Sequence, residues 1–551
     1  MAASKKRGIN GADSVVAVLK KMGVERIFYV PGEEILEIME SLRKSKITLV
    51  PARTEWGAAL MAANEGRLTG RPGVCVATCG PGALNFTNGA GYAHLGGFPM
   101  VMIAGQKPIN SSHHGHFQVT DLVSVMKPVT KLAVQIESVQ LIRPVLTSAF
   151  YIAQEEKQGP VFVVIPEDIA AEECEDDEPT TSPFELPMAS GKTLDLATEK
   201  ILAAKCPLIM VGGAASRLDQ HAIAQIRDLV LRTRIPFFST QMGKGVVPED
   251  SDLYMGTAAV SKGDYVHTAI RKTDLIIAVG YYTCEKPAFI MSEGGPEVIH
   301  IAHQAATFTQ AYHPHLEVIG GIGPSVEALA DRLEGKLTSA GALLPLREGI
   351  LALIGEGADE KSWPVTLDHV AHVVCKVMPE NGITTLDNGL YKIPFARIFR
   401  ANQPNTLLLD NALATMGAGV PSAIAAAMVN PGLSVMAVCG DGGFQMTGQE
   451  LVTAVELRLN LVVLILVNDG WRMIEAKQRA KGFPAYGVNF VNPDFVKLAE
   501  AYGAKGTRVE TVADLVPALK AAFEGGGVHV VAVRVDDSKY KRLLAGESDP
   551  E

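Results

Sequence analysis

Residues 434–470 read SVMAVCG-DGGFQMTGQELVTAVELRLN-LVVLILVNDG. Ser434–Cys439 is a short apolar run with the character of a buried strand, and it enters Gly440-Asp441-Gly442-Gly443 directly. A helical stretch over Thr447–Leu457 follows. A second buried strand is predicted over Leu461–Val467, leaving through Asn468-Asp469-Gly470. Strand, helix, strand in this order predicts a parallel α/β unit. Parallel sheets place ligands at the carboxyl ends of their strands. Two such ends here offer oxygen donors, Asp441 and the Asn468 side chain, separated by 27 residues. The glycines let backbone N–H groups approach a phosphate. A hard divalent cation takes oxygen ligands, partly from a diphosphate. Asp441, Asn468 and the Gly470 carbonyl suit such an ion. Read alone, GDGG is more simply a turn; the flanking strands and the second strand exit favour the ligand site.

The same alternation extends in both directions. Strand-like runs Arg26–Val30, Val74–Thr78, Met100–Ala104 and Val161–Ile165 form a first block. Pro207–Val211, Pro236–Phe238, Leu275–Val279 and Val298–Ile301 form a second, and Gly382–Leu386, Ser434–Cys439, Leu461–Val467 and Val528–Val535 a third. The acidic, Pro-rich stretch Glu172–Pro187 separates the first two as a linker without regular structure. The small-residue segment Leu337–Leu344 separates the last two. The expected fold class is α/β, with three doubly wound parallel-sheet domains over residues 1–180, 188–340 and 355–545.

Bulk properties narrow the class. The 551 residues carry a formal charge of −10, with 47% hydrophobic and 20% charged residues. Clustered basic residues for nucleic-acid binding are lacking. The seven cysteines form no C-x-x-C pair and read as reduced, buried thiols. No apolar core follows the basic start Met1–Gly8, and no run of ~18 apolar residues appears. The expectation is a cytoplasmic protein without a membrane span.

A candidate activating carboxylate is Glu55. It follows the short strand Ile47–Val50 and opens the small-residue helix that starts at Trp56. As a lone glutamate it reads as a surface residue at a helix start.

Together these motifs resemble the thiamine-diphosphate-binding signature, which opens with Gly-Asp-Gly and closes with Asn at about this spacing. The segment Arg53-Thr54-Glu55-Trp56-Gly57-Ala58-Ala59-Leu60-Met61-Ala62 resembles the glutamate motif of the acetohydroxyacid (acetolactate) synthase family. The resemblance runs from about Gly11 to Asp536. Val30-Pro31-Gly32-Glu33 is similar to the family's first strand exit. Gly80-Pro81-Gly82-Ala83-Leu84-Asn85 is similar to the loop beside the pyrimidine, and Phe117-Gln118 to the active-site Phe-Gln.

The family implies three domains: pyrimidine-binding, central and diphosphate-binding. It implies that Glu55 activates the cofactor by tautomerising its aminopyrimidine, and that Gln118 contacts the reacting groups. Pro31, Gly32, Gly82, Asn85, Gly389, Gly440, Gly442, Gly443, Trp471, Met473 and Ile474 then line the thiamine diphosphate. Met416, beside Gly417, is the apolar wedge beneath its thiazolium. Asp441, Asn468 and Gly470 hold Mg²⁺. Phe117, His116 and Lys477 are candidate substrate contacts. The implied assembly is a homodimer or homotetramer with sites at the subunit interface, Glu55 of one copy facing Asp441 of another. The implied activity is carboligation of pyruvate or a related 2-oxo acid through decarboxylation and C–C bond formation. A 2-oxoacid decarboxylase or an acyloin lyase is the alternative, and a non-catalytic thiamine-binding paralogue lies further off.

Several positions depart from the family. Lys477 stands where biosynthetic synthases carry a Trp, nine residues after the Asn. Gly389-Leu390-Tyr391 replaces a Gly-Gln-His or Gly-Ser-His, and Glu167 replaces a Lys. Trp471, Arg472 and Lys477 hint at an anionic or polar substrate. Tyr281-Tyr282-Thr283-Cys284-Glu285-Lys286 lacks the R-F-D-D-R pattern of the flavin-binding synthases, so the sequence weighs against FAD. Ala311-Tyr312-His313-Pro314 and Glu317-Val318-Ile319-Gly320 look closer to flavin-free catabolic synthases. His113, His114 and His116 read as a polar loop, with proton transfer as the competing role; the three alone make a poor metal site.

Overall fold

The computed structural model describes residues 9–111, 116–175, 187–261, 263–285, 295–309, 311–339 and 341–545. His113, His114, Lys286 and most of the expected linker lie outside them. The chain divides into two compact units, Met1–Phe184 and Glu185–Glu551.

The first unit is built on one six-stranded sheet. Its strands are β1 (Arg26–Tyr29), β2 (Thr48–Pro51), β3 (Gly73–Ala77), β4 (Met100–Gln106), β5 (Leu132–Gln135) and β6 (Pro160–Pro166). They lie in the order β2-β1-β3-β4-β6-β5, and every ladder is parallel. β4 and β6 are buried along their whole length, as strands covered on both faces must be. Glu173–Cys174 pairs antiparallel with Ile9–Asn10, so the segment expected to be irregular begins with a short ordered pairing.

The second unit holds two sheets. One has six strands: β7 (Pro207–Val211), β8 (Phe237–Thr240), β9 (Tyr254–Ala258), β10 (Leu275–Val279), β11 (Glu297–Ala302) and β12 (Leu316–Ile319). Their order is β9-β8-β7-β10-β11-β12, again parallel. The other has seven: β13 (Val365–Thr366), β14 (Ile383–Leu386), β15 (Leu407–Leu408), β16 (Val435–Gly440), β17 (Leu461–Val467), β18 (Lys505–Val509) and β19 (Val528–Asp536). The path is β13-β19-β17-β16-β14-β15, with β18 also on β19, and it too is parallel. Non-sequential strand order with parallel ladders throughout is the doubly wound α/β plan.

Buried ion pairs tie these two sheets together. Lys244 Nζ meets Glu249 at 2.8 Å and also donates to the Ala396 carbonyl. Arg397 meets Asp264 at 2.9 Å, with its guanidinium 4.2 Å from the Tyr265 ring centroid.

The helix expected from Thr447 starts earlier. Asp441–Thr447 is already helical, with Gly440 in extended conformation as its N-cap. The glycine-rich segment is therefore the first turn of a helix springing from β16, not a separate loop. Among the described residues, no helix is long and apolar enough to cross a membrane.

Candidate functional site

In the first unit the helix Glu55–Thr69 starts straight after β2. The Thr54 hydroxyl caps it by accepting from Gly57 N at 2.9 Å. Capping fixes the first turn, which places Glu55 at the carboxyl edge of the sheet. Asn85 Nδ2 donates to Glu55 Oε2 at 2.8 Å, so the two expected residues meet. The other oxygen, Oε1, faces Gly82. A Cβ on Gly82 would stand 3.3 Å from that oxygen and 2.9 Å from Thr78 Cγ2. The loop thus keeps open the space that a side chain would fill.

Gly80 has φ +53°, and a Cβ there would lie 2.6 Å from the Gln118 carbonyl oxygen. Gln118, itself at φ +61°, is therefore packed against the Gly80-Pro81-Gly82 loop. Phe117 is exposed, and so is His116. Pro31 is exposed, while Gly32 lies against Thr78.

A buried ion pair beneath these loops has no counterpart in the sequence reading. Glu34 is 2% exposed; it accepts from the Thr78 hydroxyl and pairs with Lys107 at 2.5 Å. Lys107 also sits 5.9 Å from the Phe117 ring centroid. Burial and the nearby Glu34 carboxylate push the Cys79 thiol up to about 12, so it stays protonated at neutral pH. Three strand exits, after β1, β3 and β4, are locked by this cluster. Sequence alone does not single out Glu34, because its partner Lys107 is distant in the chain.

In the second unit, Asp441 is 2% exposed, with no Lys or Arg in ion-pair distance among the described residues. Its Oδ2 accepts from Asn468 N at 2.9 Å, Asp469 N at 2.7 Å and Asn492 Nδ2 at 2.8 Å; its Oδ1 accepts from Gly442 N at 2.9 Å. The ends of β16 and β17 are thus joined at this carboxylate. The Asn468 amide donates its Nδ2 to Asp537 at 2.9 Å, which fixes the side chain with its oxygen turned away from Asp537. The Gly470 carbonyl accepts from Arg472 N at 3.0 Å and keeps a second lone pair. Asp441, the Asn468 oxygen and the Gly470 carbonyl are all hard oxygen donors, which fits Mg²⁺. Asn492, Asp469 and Asp537 were missed; they act on the expected ligands through hydrogen bonds that no spacing reveals.

Asp387 is a further unforeseen residue, at the exit of β14. It is fully buried and accepts from Gly417 N at 2.8 Å and Asn388 N at 2.6 Å. A Cβ on Gly443 would stand 2.6 Å from its Oδ2, so this one carboxylate holds the Met416-Gly417 turn against the Asp441 helix. Burial raises its pKa to about 7, against the lowering effect of the backbone N–H groups. Gly417 has φ +85°, and Met416 beside it is half-buried.

Tyr391 accounts for one departure from the family pattern. Its ring packs on Gly389 and its hydroxyl accepts from Gly440 N at 2.8 Å. The phenol therefore fills the gap between the β14 and β16 exits.

The helix Arg472–Ala480 carries Met473, half-buried, Ile474, 53% exposed, and Lys477, exposed. Two of the three expected polar pocket residues make extensive contacts within the chain. Arg472 is committed to the Asn468 carbonyl at 2.9 Å, Glu475 at 2.9 Å and Asn489 at 2.7 Å. Trp471 lies on Gly442, with its ring 5.0 Å from that of Phe490. Of the three, Lys477 alone keeps an exposed head.

Comparison with known families agrees with the fold. The chain matches the thiamine pyrophosphate enzyme N-terminal TPP binding domain over residues 9–125, the central domain over 194–329 and the C-terminal TPP binding domain over 387–533. Three parallel α/β sheets carrying these matches in this order define a thiamine pyrophosphate enzyme. The catabolic acetolactate synthase of Raoultella terrigena is 32% identical, covering 98% of this chain and 97% of its own. The acetolactate synthase of Bacillus subtilis (strain 168) is 31% identical, over 97% of this chain and 95% of its own. The acetolactate synthase isozyme 1 large subunit of Escherichia coli (strain K12) is 27% identical, over 100% and 98%. The chain belongs to the acetolactate synthase family.

Proposed function

We propose that this chain decarboxylates pyruvate or a related 2-oxo acid and joins the remaining acyl carbon to a second carbonyl compound. Thiamine diphosphate, when bound with Mg²⁺, supplies the nucleophilic carbon and the electron sink for this chemistry. The residues supply the rest. Glu55 donates or accepts a proton at the pyrimidine ring. Gly82 leaves room for that ring, and Asn85 orients the carboxylate. Asp441, Asn468 and Gly470 hold the metal, with Asn492 and Asp537 setting their directions. The backbone of Gly440–Gly443 lies against the diphosphate, Met416 supports the thiazolium, and Met473 and Ile474 line the cofactor's apolar side. Gln118 and Phe117 face the reacting groups, while Lys477 contributes to acceptor choice.

The observation that carries this reading is the Asn85–Glu55 bond at 2.8 Å, which leaves Oε1 directed at the Gly82 gap. Its test is Glu55→Gln. Turnover should fall by about 10²-fold or more, the scale of a lost acid–base group. Calorimetric affinity for thiamine diphosphate should change by less. Unchanged turnover would refute the assignment.

The central sheet supports a reading without FAD. The loop after β7 is where a parallel sheet would offer N–H groups to a dinucleotide phosphate. There Gly213 N donates to both oxygens of Glu285 at 3.0 Å, and the Thr240 hydroxyl donates to the same carboxylate at 2.6 Å. Glu285 is 2% exposed, so the chain's own carboxylate occupies this place. We read the reaction as flavin-independent.

Assembly into a homodimer or homotetramer follows the family. The exposed apolar side chains Ile474, Phe483, Tyr486 and Val491, near the metal loop in sequence, support it.

A further inference from the structure

A cavity of about 250 Å³ lies in the second unit, where the helices Arg347–Gly355 and Leu367–Val377 meet the stretch after Ile398. One wall is apolar, formed by Leu351, Ile354 and Ile398. The other carries His372, Lys376 and Arg400, beside Cys375. Among the described residues, no carboxylate lines it. In a chain with a formal charge of −10, such a local excess of basic groups stands out against its surroundings.

Arg400 is the half-buried cation of this cavity. It forms no ion pair among the described residues. Its guanidinium stands 5.0 Å from the Tyr254 ring centroid and, among the described residues, donates only to the Glu249 carbonyl, at 3.4 Å. The Glu249 carboxylate cannot neutralise it: that group already takes Lys244 Nζ at 2.8 Å, Ala401 N at 3.0 Å and the Ser239 hydroxyl at 3.1 Å. The backbone N–H of Arg400 donates to Cys375 Sγ at 3.4 Å, which holds the two sides of the cavity together. His372 is pinned by Nε2 to the Glu356 carbonyl at 3.1 Å. Lys376, on the same helix, is exposed and has no ion-pair partner among the described residues. A half-buried guanidinium without a counter-ion, next to a free ammonium, matches an oxyanion with several acceptor oxygens.

We propose that this cavity is a binding site for a small phosphate monoester, separate from the cofactor site. The phosphate lies against Arg400 and Lys376, and its organic part lies on Leu351, Ile354 and Ile398. The volume admits a small ligand only.

The test uses the full-length holoenzyme saturated with thiamine diphosphate and Mg²⁺, so that the diphosphate site is filled. Phenyl phosphate is the probe. Binding is followed by calorimetry, and its location by the rate of Cys375 alkylation with N-ethylmaleimide, mapped by peptide mass. Saturating phenyl phosphate should slow Cys375 alkylation by about tenfold and leave Cys206 unchanged. Lys376→Glu, at an exposed position, and Arg400→Gln should each weaken binding by about tenfold or more, the scale of a lost charge-assisted contact. Absence of heat and protection would overturn the proposal. So would equal protection by sodium sulfate at matched ionic strength, or protection unchanged in both variants.

Discussion

Asp387 and Glu55 illustrate how burial and hydrogen bonding set the character of a carboxylate. Glu55 sits at a helix start with one oxygen held by Asn85 and the other facing an open gap. Asp387 has no such opening; it is enclosed by backbone N–H groups, and burial still raises its pKa to about 7. The folded state holds this proton more tightly than the unfolded state. Its stabilising contribution is complete below the unfolded value and is lost as pH rises through about 7. Each pH unit in that window removes about 1.4 kcal/mol. In Asp387→Asn the side chain cannot ionise, so this slope should vanish. The variant should also be less stable at every pH, by about 1–3 kcal/mol, because its NH₂ would face a backbone donor. Chemical denaturation of both proteins between about pH 5 and about pH 8 would measure both effects, because the loss falls on the acid side of the folded value of about 7. A constant difference across the range would contradict the assignment.

At the scale of the element, the exits of β14, β16 and β17 converge, and side chains from each fix the others. Tyr391 binds Gly440 N, Asp387 binds Gly417 N, and Asp441 binds Asn468 N. The helix Arg472–Ala480 then leaves with Ile474 and Lys477 outward. Because Lys477 is exposed, Lys477→Met should keep the melting temperature within a degree or so. It should nevertheless alter the KM for a charged second substrate relative to an uncharged aldehyde, by about three- to tenfold. Identical selectivity would remove Lys477 from the site.

This region was largely legible in the sequence. Buried parallel strands must be continuously apolar, so β16 and β17 stand out, and their polar exits mark the proposed ligand edge. Residues that act through a distant partner were not legible. Glu34 is not singled out until β4 brings Lys107 beside it. Asn492 and Asp537 have no motif of their own. Arg472 looked like a pocket cation, because its carbonyl, amide and carboxylate partners appear only when the chain folds. The helical start at Asp441 was missed because Gly442 and Gly443 have low helix propensity; contacts with Trp471 and Asp387 override it.

For the whole molecule, the proposed chemistry divides in two, a carboxylate in the first unit and a proposed metal site in the second. If the family's shared site holds, copies carrying Glu55→Gln and copies carrying Asp441→Asn are each inactive alone. Mixed and allowed to exchange subunits, they should recover up to about a quarter of wild-type activity, since half of the assemblies are hybrids with one intact site of two. No recovery, with exchange shown by mass, would place Glu55 and Asp441 of a single chain in one site. The most direct measurement of the central claim is product analysis. Purified protein is incubated with pyruvate, thiamine diphosphate and Mg²⁺, without flavin. Acetolactate with release of CO₂ is expected, and loss of both in Glu55→Gln. Free acetaldehyde as the sole product, or acetolactate only after FAD is added, would contradict it.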